Sequence, residues 1–372
     1  MPQGIKSNTI VNLLLDKIES GEYPHNGVLP PETELAATFH AARNTVRKAI
    51  AQLAEQGMII KSQGRMSRIN FPAAQRRRPE RFLAWMWYMS PAGMTENIVY
   101  FEMFKTMVEF ARDEGLEVRL FDIGSNSKFP EAIFEDPRYS GFFAVGATRH
   151  TVGGEMLEKL RSVPHLITID EADDLPGACT VSIDNYVSGK LAAQHLFGEC
   201  KYRKVTIAHS AGDVALPFKE RIRGFCEAAQ AFEGAVVEIE VLPFNHCQNE
   251  SEQARCELLN RVLHKTDAIF CLTDLTALNM LECAENLEID VPGELGIMGF
   301  DNIYAAEHVS PRLTTIAQPN SKVVKKALEL ALEIYKNPSA ALPQSVKFPG
   351  QLIHGQTTAV LSKYLQDQHY EK

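Results

Sequence analysis

Arg43, Asn44, Thr45, Arg47 and Lys48 crowd a stretch of six positions, and Val46, Ala49, Ile50 and Leu53 recur among and beyond them at helical spacing. The pattern predicts a helix from about 43 to 56 that buries the four apolar residues and projects the five polar ones near its N-terminus. A helix fits the DNA major groove, and the residues of its first turn reach base edges. Arg43 and Arg47 share a face, and each presents a planar fork suited either to guanine O6/N7 or to a phosphate. Asn44 suits adenine, and Thr45 can donate to a phosphate. Downstream, Gln63-Gly64 is a turn between two short apolar runs in MIIKSQGRMSRI. Gly64 there allows backbone to approach a duplex closely, and Arg65 and Arg68 add charge. A charge run on a helix is otherwise a solvated face, but that reading leaves the neighbouring elements unexplained.

Those elements are compact. Ile10, Leu13, Leu14 and Ile18 form an apolar stripe for a first helix, capped by Ser7 and stopped at Gly21. After Pro30-Pro31 a short second helix buries Leu35, Ala36 and Phe39. Pro31 fits its first turn, and Glu32 and Glu34 favour its positive end. Gly57 stops the third helix. Three helices and a hairpin within about 70 residues make a winged helix-turn-helix, an α+β head.

A second group of residues lies at the ends of predicted strands. Asp301 follows a strand in GFDN, Arg221 lies on a helix after a loop, and Asp184 and Asn185 fall at a break in the pattern. Tyr100 and Phe101 open the first long helix beyond the head and could stack on an apolar ligand face. Each has a plainer role open to it: Asp301 as a helix cap, Arg221 in an internal salt bridge, Tyr100 and Phe101 as core. The elements around them alternate. FLAWMWYM, LEVRLFDI, GFFAVGA, PHLITID, KVTIAHS, VVEIEVL, DAIFCLT and GIMGFD read as strands, with amphipathic helices between. Repeated βα units make doubly wound parallel sheets. There are too many for one open sheet, and a break near Ile183-Asp184 divides them into two α/β lobes with a cleft between. Ligands bind at the carboxyl ends of such strands.

Charge separates the two parts. The 372 residues carry 38 Lys+Arg and 47 Asp+Glu, a net of −9. Residues 1–81 hold 12 of the cations against 7 acids, a net of +5, and the rest is −14. A basic head on an acidic body suits a nucleic-acid partner at one end only. Between them FPAAQRRRPER reads as an extended basic linker, in which Arg76, Arg77 and Arg78 either touch phosphates or serve as a solvated spacer. The seven cysteines are scattered and never in CxxC, which suits free thiols and predicts no zinc site. No apolar run approaches a membrane span and no leader opens the chain, so a cytoplasmic, membrane-free protein is expected. No GxSxG, HExxH, P-loop or GxGxxG after the first strand is present. The sequence thus predicts no enzyme, no catalytic residue, no metal and no cofactor. A sugar-binding or sugar-modifying enzyme with an accessory DNA-binding head is the alternative.

The segment LPPETELAATFHAARNTVRKAIAQLAEQGMIIKSQGR resembles the GntR-type winged-helix motif almost end to end. The resemblance implies DNA contacts by Arg43, Asn44, Thr45, Arg47 and Gly64, which join Glu32, Thr33, Gln63 and Arg65 in the expected DNA-facing set. Pro31 and Thr33 replace the family's Ser and Arg, which removes one contact, and Ala42 replaces a capping Ser. SIDNYVSGKLAAQHL, RIRGF and VPGELGIMGFDNIYAAEHVSPRLTTIAQP are similar to LacI/GalR-type, periplasmic-binding-protein-like effector domains. That resemblance implies a ligand pocket of Tyr100, Phe101, Arg221, Thr273 and Asp301, with Asp274 capping the next helix. The combination is similar to AraR-type arabinose repressors. It implies a multidomain chain: head 1–70, linker 71–81, and effector and dimerisation domain 82–372. The N-lobe would be about 82–183 plus 318–347, and the C-lobe about 184–317 plus 348–364. The expected activity is that of a homodimeric repressor on a pseudo-palindromic operator, released by a small-molecule effector, in all expectation a carbohydrate.

Overall fold

The computed structural model describes residues 7–19, 23, 27–61, 66–70, 81–88, 98–124, 127–170, 175–210, 215–242 and 252–359. The expected wing tip, Gln63, Gly64 and Arg65, and the basic linker lie outside the described residues.

The head is α1 (Ser7–Glu19), α2 (Glu32–Thr38), α3 (Arg43–Glu55) and an antiparallel pair, β1 (Ile59–Ile60) with β2 (Arg68–Ile69). The apolar stripes meet as their spacing requires. Ile10, Leu14, Leu35, Val46, Ala49, Ile50 and Leu53 form one core with Phe39 and Met58. His40, at φ 46°, turns the chain between α2 and α3, and Gly57, at φ 72°, turns it out of α3. Two boundaries differ from expectation by about one residue: Ser7 is the first helical residue of α1, and Pro31 is the N-cap of α2 with α2 beginning at Glu32. The head rests on the body, where Asn12 donates to the Pro137 carbonyl at 2.6 Å and Tyr335 joins the head's core.

The body holds two parallel sheets. The first is ordered β13-β7-β6-β5-β3-β4 and is formed by β3 (Phe82–Trp87), β4 (Glu117–Asp122), β5 (Tyr139–Val145), β6 (Ile167–Ile169), β7 (Cys179–Asp184) and β13 (Ser345–Pro349). The second is ordered β11-β10-β8-β9, from β8 (Lys204–Ser210), β9 (Val236–Leu242), β10 (Ala268–Cys271) and β11 (Gly296–Met298). Central strands are apolar and buried on both faces, as every residue of β3 and β10 shows, because helices cover both sides. The edge strands β4 and β13 alternate between exposed and half-buried positions.

The chain crosses between the sheets three times: after β7, after β12 (Thr315–Ala317), and between β13 and β14 (Gln351–Ile353). β12 and β14 pair antiparallel at this junction. The long helix Asn320–Lys336 returns to the first sheet, where Val323, Val324, Ala327 and Leu328 join the core of Trp85, Met107 and Phe143. This is a winged helix-turn-helix followed by a two-lobed α/β body. Each lobe is built around its own core.

Candidate functional sites in the head and the interlobe cleft

Helix α3 presents Arg43, Asn44, Arg47 and Lys48 exposed, with Thr45 half-buried. Its N-cap is Ala42, at φ −64° and ψ 139°, and no side chain caps it. The positive end of α3 is therefore open to an anion. The Glu32 carboxylate reaches across from α2 to both arginines, accepting from Arg43 Nε at 3.3 Å and from Arg47 Nη2 at 3.0 Å and Nε at 3.1 Å. The hydrogen bond from Arg47 is the main reason its carboxyl lies below the usual range. Glu32 thus holds the two forks side by side, and Thr33, one residue on, is exposed.

In the body, residues from both lobes converge at strand ends. From the second lobe comes Arg221, on the helix Leu216–Ala229 and 4% exposed. Its Nε donates to Asn185 Oδ1 at 2.8 Å, its Nη1 donates to the Leu272 carbonyl at 2.6 Å, and its guanidinium lies 3.7 Å from the centre of the Phe300 ring. Asp301 Oδ1 is 3.9 Å from Nη1 and accepts from Gln318 Nε2 at 2.6 Å. Asp301 holds φ 126° and Asn302 φ 57°, a strained turn that delivers the carboxylate to the strand end.

Two helices fix Arg221 beside Asn185. The helix Asn185–Ala193 and the helix of Arg221 cross with backbones touching. A Cβ on Gly189 would run into the Arg221 carbonyl, and one on Gly224 into that of Tyr186. Only glycine fits either place.

From the first lobe, Tyr100 donates to Asp170 Oδ2 at 2.6 Å and meets Trp87 edge-on at 6.4 Å. A Cβ on Gly146 would overlap the Tyr100 ring. Burial first, and then the Asp170 charge, push the Tyr100 hydroxyl well above its ordinary range, while the Arg221 charge opposes them. The two lobes therefore share one electrostatic cluster: Tyr100 and Asp170 on one side, Arg221 and Asp301 on the other. Burial raises the Asp301 carboxyl, against the pull of Arg221.

The sequence-expected pocket residues divide. Tyr100, Arg221 and Asp301 meet in this cluster. Phe101 is 39% exposed and takes no part in its described contacts. Thr273 takes the capping role expected of Asp274. Thr273 is the N-cap of the helix Asp274–Asn286, its Oγ1 accepting from Thr276 N at 3.2 Å. Asp274, already helical and fully buried, turns inward instead. Its Oδ1 accepts from Thr315 Oγ1 at 2.5 Å and its Oδ2 from Ile303 N at 2.9 Å. Burial, and next the charge of Asp301, raise its carboxyl. Asp274 ties the Asp301 turn to β12, which makes it a positioning residue. Sequence reading missed Asp170, although its place directly after β6 obeys the strand-end rule. Likewise Asn185 was placed at the crossing without a partner. Asp184, beside it, caps the helix Asn185–Ala193 by accepting from Val187 N at 2.9 Å. Outside the cleft, His195, Glu199 and His354 come together as a group able to hold a metal; the first two stand four apart on one helical turn, and His354 joins them from far along the chain.

Residues 6–69 match the family of bacterial regulatory proteins called gntR, and residues 194–358 match the periplasmic binding protein-like domain. The head thus matches the gntR family and the second lobe of the body matches the periplasmic binding protein-like domain. The arabinose metabolism transcriptional repressor of Geobacillus stearothermophilus is 24% identical over 338 residues, covering 88% of this chain and 90% of that protein. The HTH-type transcriptional regulator GalR of Escherichia coli is 29% identical over 189 residues, 49% of this chain and 52% of GalR. Against GalR and the PurR repressors the chain thus spans about half the length of the relatives it matches. A LacI family transcriptional regulator from Enterococcus faecium, solved with bound ribose, superposes with a TM-score of 0.62 at 20% identity, covering 75% of this chain and all of that one. That likeness shows the fold of the body.

Proposed function

We propose that the chain is a transcriptional repressor whose affinity for an operator is set by a neutral sugar bound between the two lobes. The observation that carries this reading is one chain holding two built sites: an uncapped recognition helix bearing paired arginine forks, and a cleft where both lobes contribute buried polar groups. In this reading Arg43, Asn44, Thr45 and Arg47 face the duplex together with Thr33 and the wing residues Gln63, Gly64 and Arg65. Glu32 orients the arginines rather than meeting phosphate. Tyr100, Asp170, Arg221 and Asp301 hold the effector, Thr273 and Phe101 border it, and Asp274, Asn185 and Gln318 keep the others in place.

The chemistry favours a polyhydroxylated neutral ligand. Arg221 already donates to Asn185 and to the Leu272 carbonyl, so less of its fork remains for an anion. Asp170 and Asp301 offer acceptor oxygens to hydroxyls and repel phosphate or carboxylate. The domain limits follow the same reading: head 1–70, linker 71–81, and lobes exchanging near residues 183 and 317 and again near 350, two residues later than the expected 348. A homodimer places two heads on a pseudo-palindromic operator, and lobe closure alters their spacing. The relatives named as transcriptional repressors support regulation over catalysis. A thermal-shift screen across pentoses, hexoses, disaccharides, sugar phosphates and nucleobases tests the effector class, because a ligand of the folded state raises the melting temperature. A response confined to sugar phosphates or nucleobases would rule out the neutral-sugar reading.

A further inference from the structure

The helix that begins at Asn185 does not end regularly. Past Ala193 it widens into a single π turn, Gln194–Glu199, a departure from α geometry that recurs at functional sites. The turn carries His195 and Glu199, and the segment after β14 brings His354 against them from far along the chain. We propose that His195, Glu199 and His354 form a binding site for a divalent transition-metal ion of the zinc class.

The geometry supplies three converging donors. His195 Nδ1 lies 2.7 Å from Glu199 Oε2, and His354 Nδ1 lies 4.0 Å from the same oxygen. The two imidazoles meet edge-to-face with centres 5.2 Å apart, and one donor atom from each of the three residues lies within 4.8 Å of the others. Ligands at about 2.0–2.2 Å around a tetrahedral zinc are separated by roughly 3.3 Å. Glu199 and His354 have side chains 57% and 65% exposed, which leaves both room to turn toward a shared ion.

The other nitrogen of His195 is held as metal-binding imidazoles are held. Nε2 lies 2.9 Å from Thr358 Oγ1, whose own hydroxyl donates to Thr314 Oγ1 at 2.9 Å. In the tautomer with the proton on Nε2, which Thr358 accepts and Cys200 Sγ approaches at 3.4 Å, the Nδ1 lone pair faces the Glu199 carboxylate. Without an ion the Nδ1–Glu199 contact at 2.7 Å is an N–H···O hydrogen bond; an ion would take the place of that proton, and the second imidazole closing on the same oxygen would give it a third ligand. Two nitrogens and one carboxylate select zinc, cobalt, nickel or copper over magnesium or calcium, which prefer oxygen alone. The exposed side of the cluster leaves a fourth position to water. The ion would staple the end of this helix to the segment 354–358, on the same helix that orients Arg221 through Asn185 at its other end.

The test uses the full chain freed of metal by chelation, titrated with Co²⁺ by visible absorption and with Zn²⁺ by calorimetry. One ion per chain, cobalt bands of tetrahedral intensity and a higher melting temperature with Zn²⁺ are expected. Glu199→Gln and His354→Ala replace exposed side chains and should melt like the parent in chelator while each loses at least tenfold in Zn²⁺ affinity. Undiminished affinity in both variants would place any ion on other histidines or cysteines and overturn the proposal. Failure of the parent to bind Zn²⁺ at stoichiometric level would overturn it equally.

Discussion

Replacing Arg221 with alanine should destabilise the protein even with no effector present, because its partners belong to the chain itself. The substitution removes two hydrogen bonds from a charged donor, at 2.8 Å to Asn185 Oδ1 and 2.6 Å to the Leu272 carbonyl. It also strips Asp301 of its cation at 3.9 Å. Breaking a buried pair costs about 3–5 kcal/mol. The separation here is long, and Asp301 keeps the Gln318 donor, so the lower end, about 3 kcal/mol, applies. For a domain of this size that is a fall of roughly 6–12 °C in melting temperature. The loss should depend on pH. Burial raises the Asp301 carboxyl, and Arg221 is what restrains it. Without Arg221 the folded carboxyl rises further, so the folded form takes up a proton at acid pH and relieves the unpaired charge. A group raised above its unfolded value gives up stability as pH climbs through its folded pKa. Thermal unfolding by circular dichroism should therefore show a smaller loss near pH 5 than near pH 8. The double variant Arg221→Ala/Asp301→Asn should lose less near pH 8 than the single one. A single variant melting within about 2 °C of the parent at both pH values would refute the reasoning, since it would mean that Arg221 is held by nothing in the chain.

Other expectations concern separate parts of the molecule. Gly224→Val should force the helix of Arg221 away from that of Asn185, lowering the melting temperature and weakening effector response together; normal melting with normal response would contradict the close crossing. Glu32→Gln should free the arginine forks, so that binding to random-sequence duplex strengthens several-fold at low salt and discrimination for the operator shrinks, both read by fluorescence anisotropy. Arg43→Ala and Arg47→Ala should each cost about 1–3 kcal/mol per head if the fork reads a base, or lower the salt slope by about one per lost phosphate contact, with melting unchanged because both side chains are more than half exposed. Asp274→Ala should strand the Ile303 N–H and the Thr315 hydroxyl, costing about 1–3 kcal/mol each, and should flatten the decline in stability between about pH 4 and 7 that its raised carboxyl creates.

What could be read from the sequence was local. The recognition helix shows itself through the spacing of Val46, Ala49, Ile50 and Leu53, because helical neighbours are three and four residues apart. Asp301 stood out through the strand-end rule, and Arg221 through the resemblance of RIRGF to the LacI/GalR-type motif. The partners that give them a role came from other elements: Asn185 is 36 residues from Arg221, and Asp170 is 70 from Tyr100. No spacing rule spans such distances. Gly189 and Gly224 lie within helices, and only the crossing of those two helices shows why no side chain fits at either. Thr273 and Asp274 are adjacent candidates for one cap, and the choice between them lay in the extended dihedrals of Thr273, which composition does not reveal. His195 and His354 meet only because the chain crosses between the lobes a third time.

The central claim is that the cleft and the head are coupled. It is tested most directly by operator anisotropy, with a duplex recovered by selection from a random library, measured with and without the sugar that the thermal screen returns. The parent should bind tightly without sugar and weaken at least tenfold with it, and Asp301→Ala should bind the same duplex as tightly but with no response to sugar. An operator affinity that is unchanged by a sugar shown to occupy the cleft would contradict the account.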